Sequence, residues 1–153
     1  MLAMFVALAG CSKDSDEQQY TSEQQQVFDV FNGEWYDTQF STVVNDKHVN
    51  CAIIAFGDHQ DKPMDIYDNN GEYKYTKHGE CRFYLPFDGE SEKYIQCGYY
   101  VSPNGKTLDL RNESDNSLYH YYEISIKSET EMYLHQNGLS LPYIFVKSEK
   151  RTK

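Results

Sequence analysis

The chain has 153 residues, a formal net charge of −10 at pH 7 and 15% aromatic residues. This length fits a single domain that buries about two-thirds of its unfolded surface, so folding requires neither a metal nor a dense set of disulfides. An acidic chain without a Lys/Arg stripe is repelled by phosphate backbones, which argues against nucleic-acid binding. The same charge disfavours adhesion to anionic lipid, so any membrane attachment has to be covalent or inserted.

The sequence opens with an apolar run, MLAMFVALAG (1–10), that ends at Cys11. As a helix this run would span only about 15 Å, half of a bilayer core, so it fits the apolar part of a signal peptide better than a membrane anchor. The residues LAGC (8–11) resemble the lipobox of bacterial lipoproteins. The resemblance implies cleavage between Gly10 and Cys11, acylation of the Cys11 thiol, and a lipid-anchored mature chain.

No Lys or Arg precedes the apolar run, so we expect this signal peptide to be incomplete at its start. The alternative is an ordinary cleaved signal peptide in which Cys11 is incidental. The polar residues that follow predict a flexible tether over 11–21, and SKDSDE (12–17) resembles the acidic export signal of surface lipoproteins in Bacteroidetes. These resemblances imply display at the cell surface of the outer membrane, with the periplasmic face of that membrane as the alternative.

A single short helix is predicted over residues 22–31. Thr21 is a good N-cap, Gln24 lies three residues further on, and Gly33 ends the run. The rest of the chain predicts strands at short, regular spacing. The predicted strands are 34–42, 47–57, 64–68, 72–87, 93–102, 106–112, 120–128, 131–136 and 141–149.

No helical pattern of 10–15 residues lies between these strands, so parallel crossovers are excluded. The sequence therefore predicts an all-β domain over 22–153. We expect an antiparallel up-and-down barrel of about eight strands with a short N-terminal helix, because a closed barrel has no exposed edges. A β-sandwich is the alternative, since strand spacing does not separate the two folds.

The short helix is followed by NGEWY (32–36), in which Gly33 and Trp35 open the first strand. This arrangement resembles the start of lipocalins and their calycin relatives. The later strands, from NGKTLDL to YIFVK, are similar to the lipocalin-like domains of Bacteroidetes lipoproteins, and the whole resemblance covers about 27–148. It implies a lipocalin-like barrel in which Trp35 packs across the closed end.

No complete catalytic or metal motif is present. The histidines are scattered, and DHQD (58–61) and HGEC (78–81) lack the spacing of a full metal site. Gly-x-Ser-x-Gly, P-loop and CxxC motifs are missing as well. We therefore expect a protein that is not an enzyme and that uses neither a cofactor nor a metal.

Tyrosines cluster in three of the predicted strands, at 73–75, 99–100 and 119–122. Inside a barrel, their rings would offer stacking faces and hydroxyls to a sugar or another amphipathic ligand. The candidate ligand-lining residues are Tyr73, Tyr75, Tyr99 and Tyr100. The alternative is that half-exposed strands simply favour tyrosine.

Two functions remain open from the sequence. The first is a non-enzymatic binding module for a small amphipathic or carbohydrate ligand, held at the membrane by its N-terminal lipid. The second is an envelope accessory or inhibitor protein with a filled barrel core. A wide mouth lined by aromatic residues would favour the first, and apolar side chains closing the lumen would favour the second.

Three cysteines remain after the lipobox, and an oxidising compartment permits disulfides. If residues 88–90 form a three-residue loop, facing residue numbers sum to 178 and Cys81 lies opposite Cys97. Cys51 lies in an apolar run that would keep its thiol buried. We predict that Cys81 and Cys97 are neighbours and disulfide candidates, with Cys51 free. The alternatives are three reduced core cysteines or a pairing with Cys51.

Overall fold

The computed structural model describes residues 19–39, 42–44, 47–49, 52–84 and 93–148. One helix, α1, spans Ser22–Phe31. The strands are β1 (Gly33–Asp37), β2 (Thr42–Val44), β3 (Lys47–Val49), β4 (Ile53–Tyr67), β5 (Tyr73–Tyr84), β6 (Tyr94–Val101), β7 (Thr107–Asn112), β8 (Leu118–Ile126), β9 (Glu131–His135) and β10 (Tyr143–Lys147). In this described part of the chain, no helix is long and apolar enough to cross a bilayer.

Eight of the strands form one closed antiparallel ring, in the order β1, β4, β5, β6, β7, β8, β9 and β10, with β10 pairing back to β1. Strands β2 and β3 pair with each other as a separate hairpin between β1 and β4. Within the ring, each strand after β1 therefore lies beside the ring strand that precedes it in the chain. The predicted up-and-down barrel of about eight strands is confirmed, and the closed ring excludes the sandwich.

Helix α1 begins with the predicted capping box. Thr21 Oγ1 accepts the backbone N–H of Gln24 at 3.1 Å, and Gln24 Oε1 accepts the backbone N–H of Thr21 at 2.9 Å. The Gln24 side chain then donates to the Val101 carbonyl at 2.8 Å, which ties the helix to β6. On the same side of the helix, the Phe31 ring stacks on Phe56 at 4.4 Å. The helix thus covers one end of the barrel.

The C-terminal end of α1 is held by the first and last strands of the ring. The Trp35 indole N–H donates to the Phe31 carbonyl at 2.8 Å, and Lys147 Nζ donates to the Val30 carbonyl at 2.6 Å. The same ammonium lies 5.1 Å from the centroid of the Trp35 ring. These carbonyls have no partner within the helix, and a positive charge at a helix C-terminus is favourable. Trp35 is fully buried, as predicted, and Gly33 adjoins Lys147 at a φ of 125°.

Side chains fill the barrel interior from the helix-covered end through its middle. The residues of this core that are at most 3% exposed are Phe28, Phe31, Trp35, Ile54, Phe56, Cys81, Cys97, Tyr99, Val101, Leu108, Leu110, Tyr122, Met132, Leu134 and Phe145. Phe28 and Phe31 come from α1, and strand alternation places the other side chains of this list inward and the intervening strand residues outward. The fold is therefore a packed barrel along this length.

Strands β4 and β5 continue past the ring as a two-stranded arm, residues 64–77. Within the arm Met64 faces Lys77, whereas β1 pairs with β4 no further than Phe56 and β6 pairs with β5 only from Gly79 onwards. Irregular pairing between Phe56 and Met64 bends β4 without ending it. The prediction of two separate strands, 47–57 and 64–68, is therefore wrong. Residues 47–49 form β3, and β4 is continuous across residues 58–63, which were predicted to separate the two strands.

Candidate functional site

Several predicted site residues lie outside the described part of the chain. They are the cleavage and lipidation positions Gly10 and Cys11, the cysteine Cys51, and the loop residues 88–92. The lipoprotein interpretation of the N-terminus therefore stays a prediction, as does the length of the loop between β5 and β6.

Cys81 on β5 lies directly opposite Cys97 on β6, and the pairing continues to Tyr84 opposite Tyr94. The predicted register is thus confirmed. Both thiols are free and buried in the barrel interior, and burial raises the pKa of Cys81. Facing residues of an antiparallel pair have Cα atoms about 4.5–5.5 Å apart, within the range that a disulfide spans. Oxidation could therefore join these two thiols without rearranging the strands.

The four tyrosines predicted to line a ligand site lie on two different faces of the barrel wall. Tyr99 points inward, is 1% exposed, and packs its ring 5.4 Å from that of Phe56. The other three, Tyr73, Tyr75 and Tyr100, lie on the outside. The expectation of rings gathered inside the barrel is therefore wrong for these three, because strand alternation points Tyr100 outward and the arm carries the other two away from the interior.

The arm departs from the barrel wall at His78. Nδ1 of His78 accepts the backbone N–H of Val101 at 3.1 Å, so an imidazole takes the place of a backbone carbonyl in the ladder between β5 and β6. Beyond this point the arm lies on the outer side of β6, over Gly98. A Cβ atom at Gly98 would lie 2.9 Å from Tyr75 Oη and 2.8 Å from Lys77 Cδ. Only glycine leaves room for this close approach.

A salt-bridge pair fastens the arm to the wall. Lys77 Nζ lies 3.0 Å from a carboxylate oxygen of Glu80 and 3.0 Å from one of Glu113. The Lys77 side chain is only 10% exposed and that of Glu113 is 26% exposed, so this contact is partly shielded from solvent, whereas Glu80 is half-exposed. Burial lowers the pKa of Lys77, but hydrogen bonds to the two carboxylates outweigh it and raise that pKa. The arm is thus held in place by a charged and well-partnered group.

Between the arm and the wall lies an open cavity of about 260 Å³, which we call the outer groove. It is lined by Tyr73, Lys74, Tyr75, Thr76, Tyr100, Asp109 and Arg111. The Tyr73 hydroxyl is hydrogen-bonded to Thr76 Oγ1 at 2.9 Å. The Thr76 hydroxyl in turn donates to Asp65 Oδ1 at 2.7 Å. The outer groove therefore combines aromatic rings with a polar arm.

Asp109, on β7, lines the wall side of the outer groove. It faces Tyr100 on β6 and Tyr121 on β8, so its carboxylate is flanked by two outward tyrosines. Among the described residues it has no hydrogen-bond partner. Burial raises the pKa of Asp109, and the nearby Arg111 guanidinium opposes that rise. Arg111 lies 5.7 Å from the centroid of the Tyr75 ring and donates to the Asn116 carbonyl at 3.3 Å.

Asp109 and Arg111 are not among the predicted site residues. The alternation in TLDLRN (107–112) would have placed them outward, because Leu108 and Leu110 are inward and fully buried. What alternation does not reveal is the arm that folds over them. The groove therefore depends on a long-range contact that no local pattern contains.

A second polar cluster lies at the barrel end opposite α1. Asp37, the last residue of β1, is 2% exposed, and its Oδ1 accepts the backbone N–H of Gln39 at 3.0 Å. Burial raises the pKa of Asp37. The His120 ring lies 4.8 Å from Phe83 and 5.4 Å from Tyr122, and burial lowers its pKa. Burial thus favours the neutral form of both groups.

The histidine-containing motifs do not assemble a metal site. His59 stacks on Phe28 at 4.8 Å, and His78 is surrounded by Tyr20, Phe28 and Tyr100. Among the residues that the structure describes, no three His, Cys, Asp or Glu side chains come together as metal ligands.

Comparison of the chain with protein-family models, with curated proteins and with solved structures gives no match. The outer groove and the packed interior are therefore interpreted from their own geometry.

Proposed function

We propose that the protein is a lipid-anchored envelope protein of the outer membrane that binds its partner with the outside of its barrel and catalyses no reaction. The packed interior is the single observation that carries this proposal. A carrier of small apolar ligands needs an empty pocket, and such pockets commonly measure about 300–1,000 Å³. Here the corresponding volume is occupied by apolar side chains such as Leu110, Met132 and Phe145, each at most 1% exposed.

The lipid anchor is supported by sequence, through the LAGC lipobox and the polar tether after Cys11. Two or three acyl chains give stable attachment, because each buried methylene contributes about 0.8 kcal/mol. The polar outside of the barrel then faces the envelope. This combination favours the accessory function over that of a lumenal carrier.

A lipophilic fluorescent probe tests the barrel part of the proposal. Trp35, the single tryptophan of the chain, lies in the interior, so a fatty-acid probe bound there would accept energy from it. We expect no saturable quenching of Trp35 by anilinonaphthalene sulfonate or by a fluorescent fatty acid. Saturable quenching with a stoichiometry of one probe per chain would overturn the proposal.

The anchor is tested separately in a bacterial host that processes lipoproteins. We expect labelled palmitate on the wild-type chain and its loss in Cys11→Ser, which should leave the membrane fraction. A matched Ser12→Ala variant should stay acylated. An unlabelled wild-type chain would refute lipidation without affecting the interpretation of the packed interior.

A further inference from the structure

We infer that the outer groove is a binding site for a neutral sugar unit of a glycan. This inference rests on the proposed function, because it takes the outside of the barrel as the binding surface. It goes further by naming the place and the class of ligand. The groove holds aromatic rings and a carboxylate, and its volume is about 260 Å³.

The aromatic part of the groove provides stacking surfaces. Tyr73 on the arm is 56% exposed, and Tyr100 on the wall is partly exposed. The C–H faces of a pyranose ring pack against such rings, while tyrosine hydroxyls exchange hydrogen bonds with the sugar. Tyr75 is only 6% exposed and lies against Arg111, so it forms the floor of the groove and supports that guanidinium.

The polar part of the groove offers acceptors and donors. The Asp109 carboxylate has accepting oxygens without a described partner, and an ionised carboxylate accepts up to about four hydrogen bonds. Sugar hydroxyls are donors that can fill these positions. Arg111 supplies further donors. Among the described residues its guanidinium makes one hydrogen bond, to the Asn116 carbonyl, and its other N–H groups can donate to a ligand.

Size and charge narrow the ligand class. A volume of about 260 Å³ lies below the range of typical drug-sized pockets, so one ring of an oligosaccharide fits better than a large apolar ligand. Two cations also line the groove, but Lys74 is ion-paired with Asp68 at 3.0 Å and Arg111 lies near Asp109, so both positive charges are already offset on a chain of net charge −10. These features favour neutral sugars over uronic or sialic acids.

The groove is also preorganised. Lys77 is clamped by two carboxylates at 3.0 Å, and Thr76 bridges Tyr73 to Asp65. A site whose walls are already held in place loses less conformational entropy on binding. An open single-ring site of this kind binds weakly alone, and the linked units of a polymer would raise the overall affinity through multiple contacts.

The test uses the isotope-labelled full chain and a panel of neutral and acidic oligosaccharides. A glycan array selects candidate ligands, and NMR titration then maps where they bind. We expect at least one neutral oligosaccharide to shift the backbone amides of Tyr100, Asp109 and Arg111. Asp109→Asn and Tyr73→Ala should each weaken binding about tenfold or more, because the first replaces a charged acceptor by a neutral amide and the second removes a stacking ring. The amide spectrum itself reports whether each variant is folded.

The matched control is Tyr94→Ala. Tyr94 is 48% exposed, and the Arg82 guanidinium lies 5.1 Å from the centroid of its ring, so its surroundings resemble those of a groove tyrosine. It lies at the start of β6, whereas the groove tyrosine Tyr100 lies near the end of that strand. This variant should bind like the wild type. Absence of binding by every neutral oligosaccharide at millimolar concentration, shifts that map to another face, or binding of acidic glycans alone would overturn the inference. None of these results would touch the lumenal-probe or palmitate tests above.

Discussion

Lowering the pH from neutral to about 4 should destabilise the fold through His78. This side chain is 2% exposed, and its Nδ1 accepts the Val101 N–H at 3.1 Å. A proton on Nδ1 would set one donor against another. Burial also disfavours the charged imidazolium, and together with the nearby His59 it lowers the pKa of His78 to about 4 from its ordinary value of 6.5. The imidazole is thus a neutral acceptor built into the barrel wall.

The sign and size of the effect follow from proton linkage. Above about pH 6.5 the imidazole is neutral in both states, so the stabilising effect is fully present. As the pH falls towards 4, the unfolded chain binds a proton that the folded chain refuses. Since one pKa unit corresponds to about 1.4 kcal/mol, the gap between 6.5 and about 4 corresponds to about 3 kcal/mol. That is a large part of a typical stability of about 5–15 kcal/mol.

Other groups also contribute within this window, and His120, whose pKa burial lowers as well, acts in the same direction as His78. Burial raises the pKa values of Asp37 and Asp109, so the folded chain takes up protons at these carboxyls before the unfolded chain does. Their contribution favours the folded state as the pH falls towards 4. A comparison of variants is therefore needed to isolate His78.

The assay is urea unfolding followed by Trp35 fluorescence at several pH values between 7 and 4. We compare the wild type with His78→Asn, whose amide oxygen can still accept the Val101 N–H but does not titrate. The variant should be less stable at neutral pH, because ring contacts are lost, and should lack the decline of about 3 kcal/mol between pH 6.5 and 4. His135→Asn, which changes a histidine on β9, should retain that decline. Identical pH profiles for the wild type and His78→Asn would refute the reasoning.

Three further outcomes are expected. Lys147→Met removes the donor to the Val30 carbonyl and should lower the free energy of unfolding, measured by urea titration, by about 1–3 kcal/mol. Lys147→Arg should stay closer to the wild type, and equal stability of all three chains would contradict this. Gly79→Ala would place a Cβ 2.6 Å from the Tyr99 ring and should cost about 1–3 kcal/mol, and an unchanged unfolding midpoint would count against it. Mild oxidation should join Cys81 to Cys97; peptide mapping that instead finds a bridge to the third cysteine would exclude it.

The parts of the fold that depend on local chemistry could be predicted from the sequence. Thr21 and Gln24 carry their own capping geometry, so the start of α1 follows from four residues. The pairing of Cys81 with Cys97 was predicted from a three-residue loop, because register between adjacent antiparallel strands is a local property, and the observed register agrees. Closure of the ring was the favoured prediction, because an unclosed sheet of this size would expose two edges, but strand spacing left the β-sandwich open as the alternative.

The parts that depend on long-range packing could not be predicted. DHQDKP (58–63) contains the polar residues and the proline that usually separate strands, yet irregular pairing carries β4 through it. The side on which Tyr75 lies is set by where β5 leaves the wall, and that point is fixed by a hydrogen bond between His78 and Val101. The alternation of inward and outward side chains along a strand contains no information about the irregular β4–β5 pairing or the His78–Val101 hydrogen bond. The outer groove therefore forms only when the arm folds against the wall.

The position of α1 sets the geometry of attachment for a lipid-anchored chain. The described chain begins at Gln19, beside the helix-covered end, and eight residue steps separate it from Cys11. A fully extended chain covers at most about 3.5 Å per residue, so Cys11, if acylated as proposed, would keep that end of the barrel within about 28 Å of the bilayer. Such confinement would restrict the encounter between the outer groove and its ligand to a thin layer next to the membrane. Tethered sites reach millimolar local concentrations, so many copies sharing one leaflet could together hold a polymer that a single copy would release.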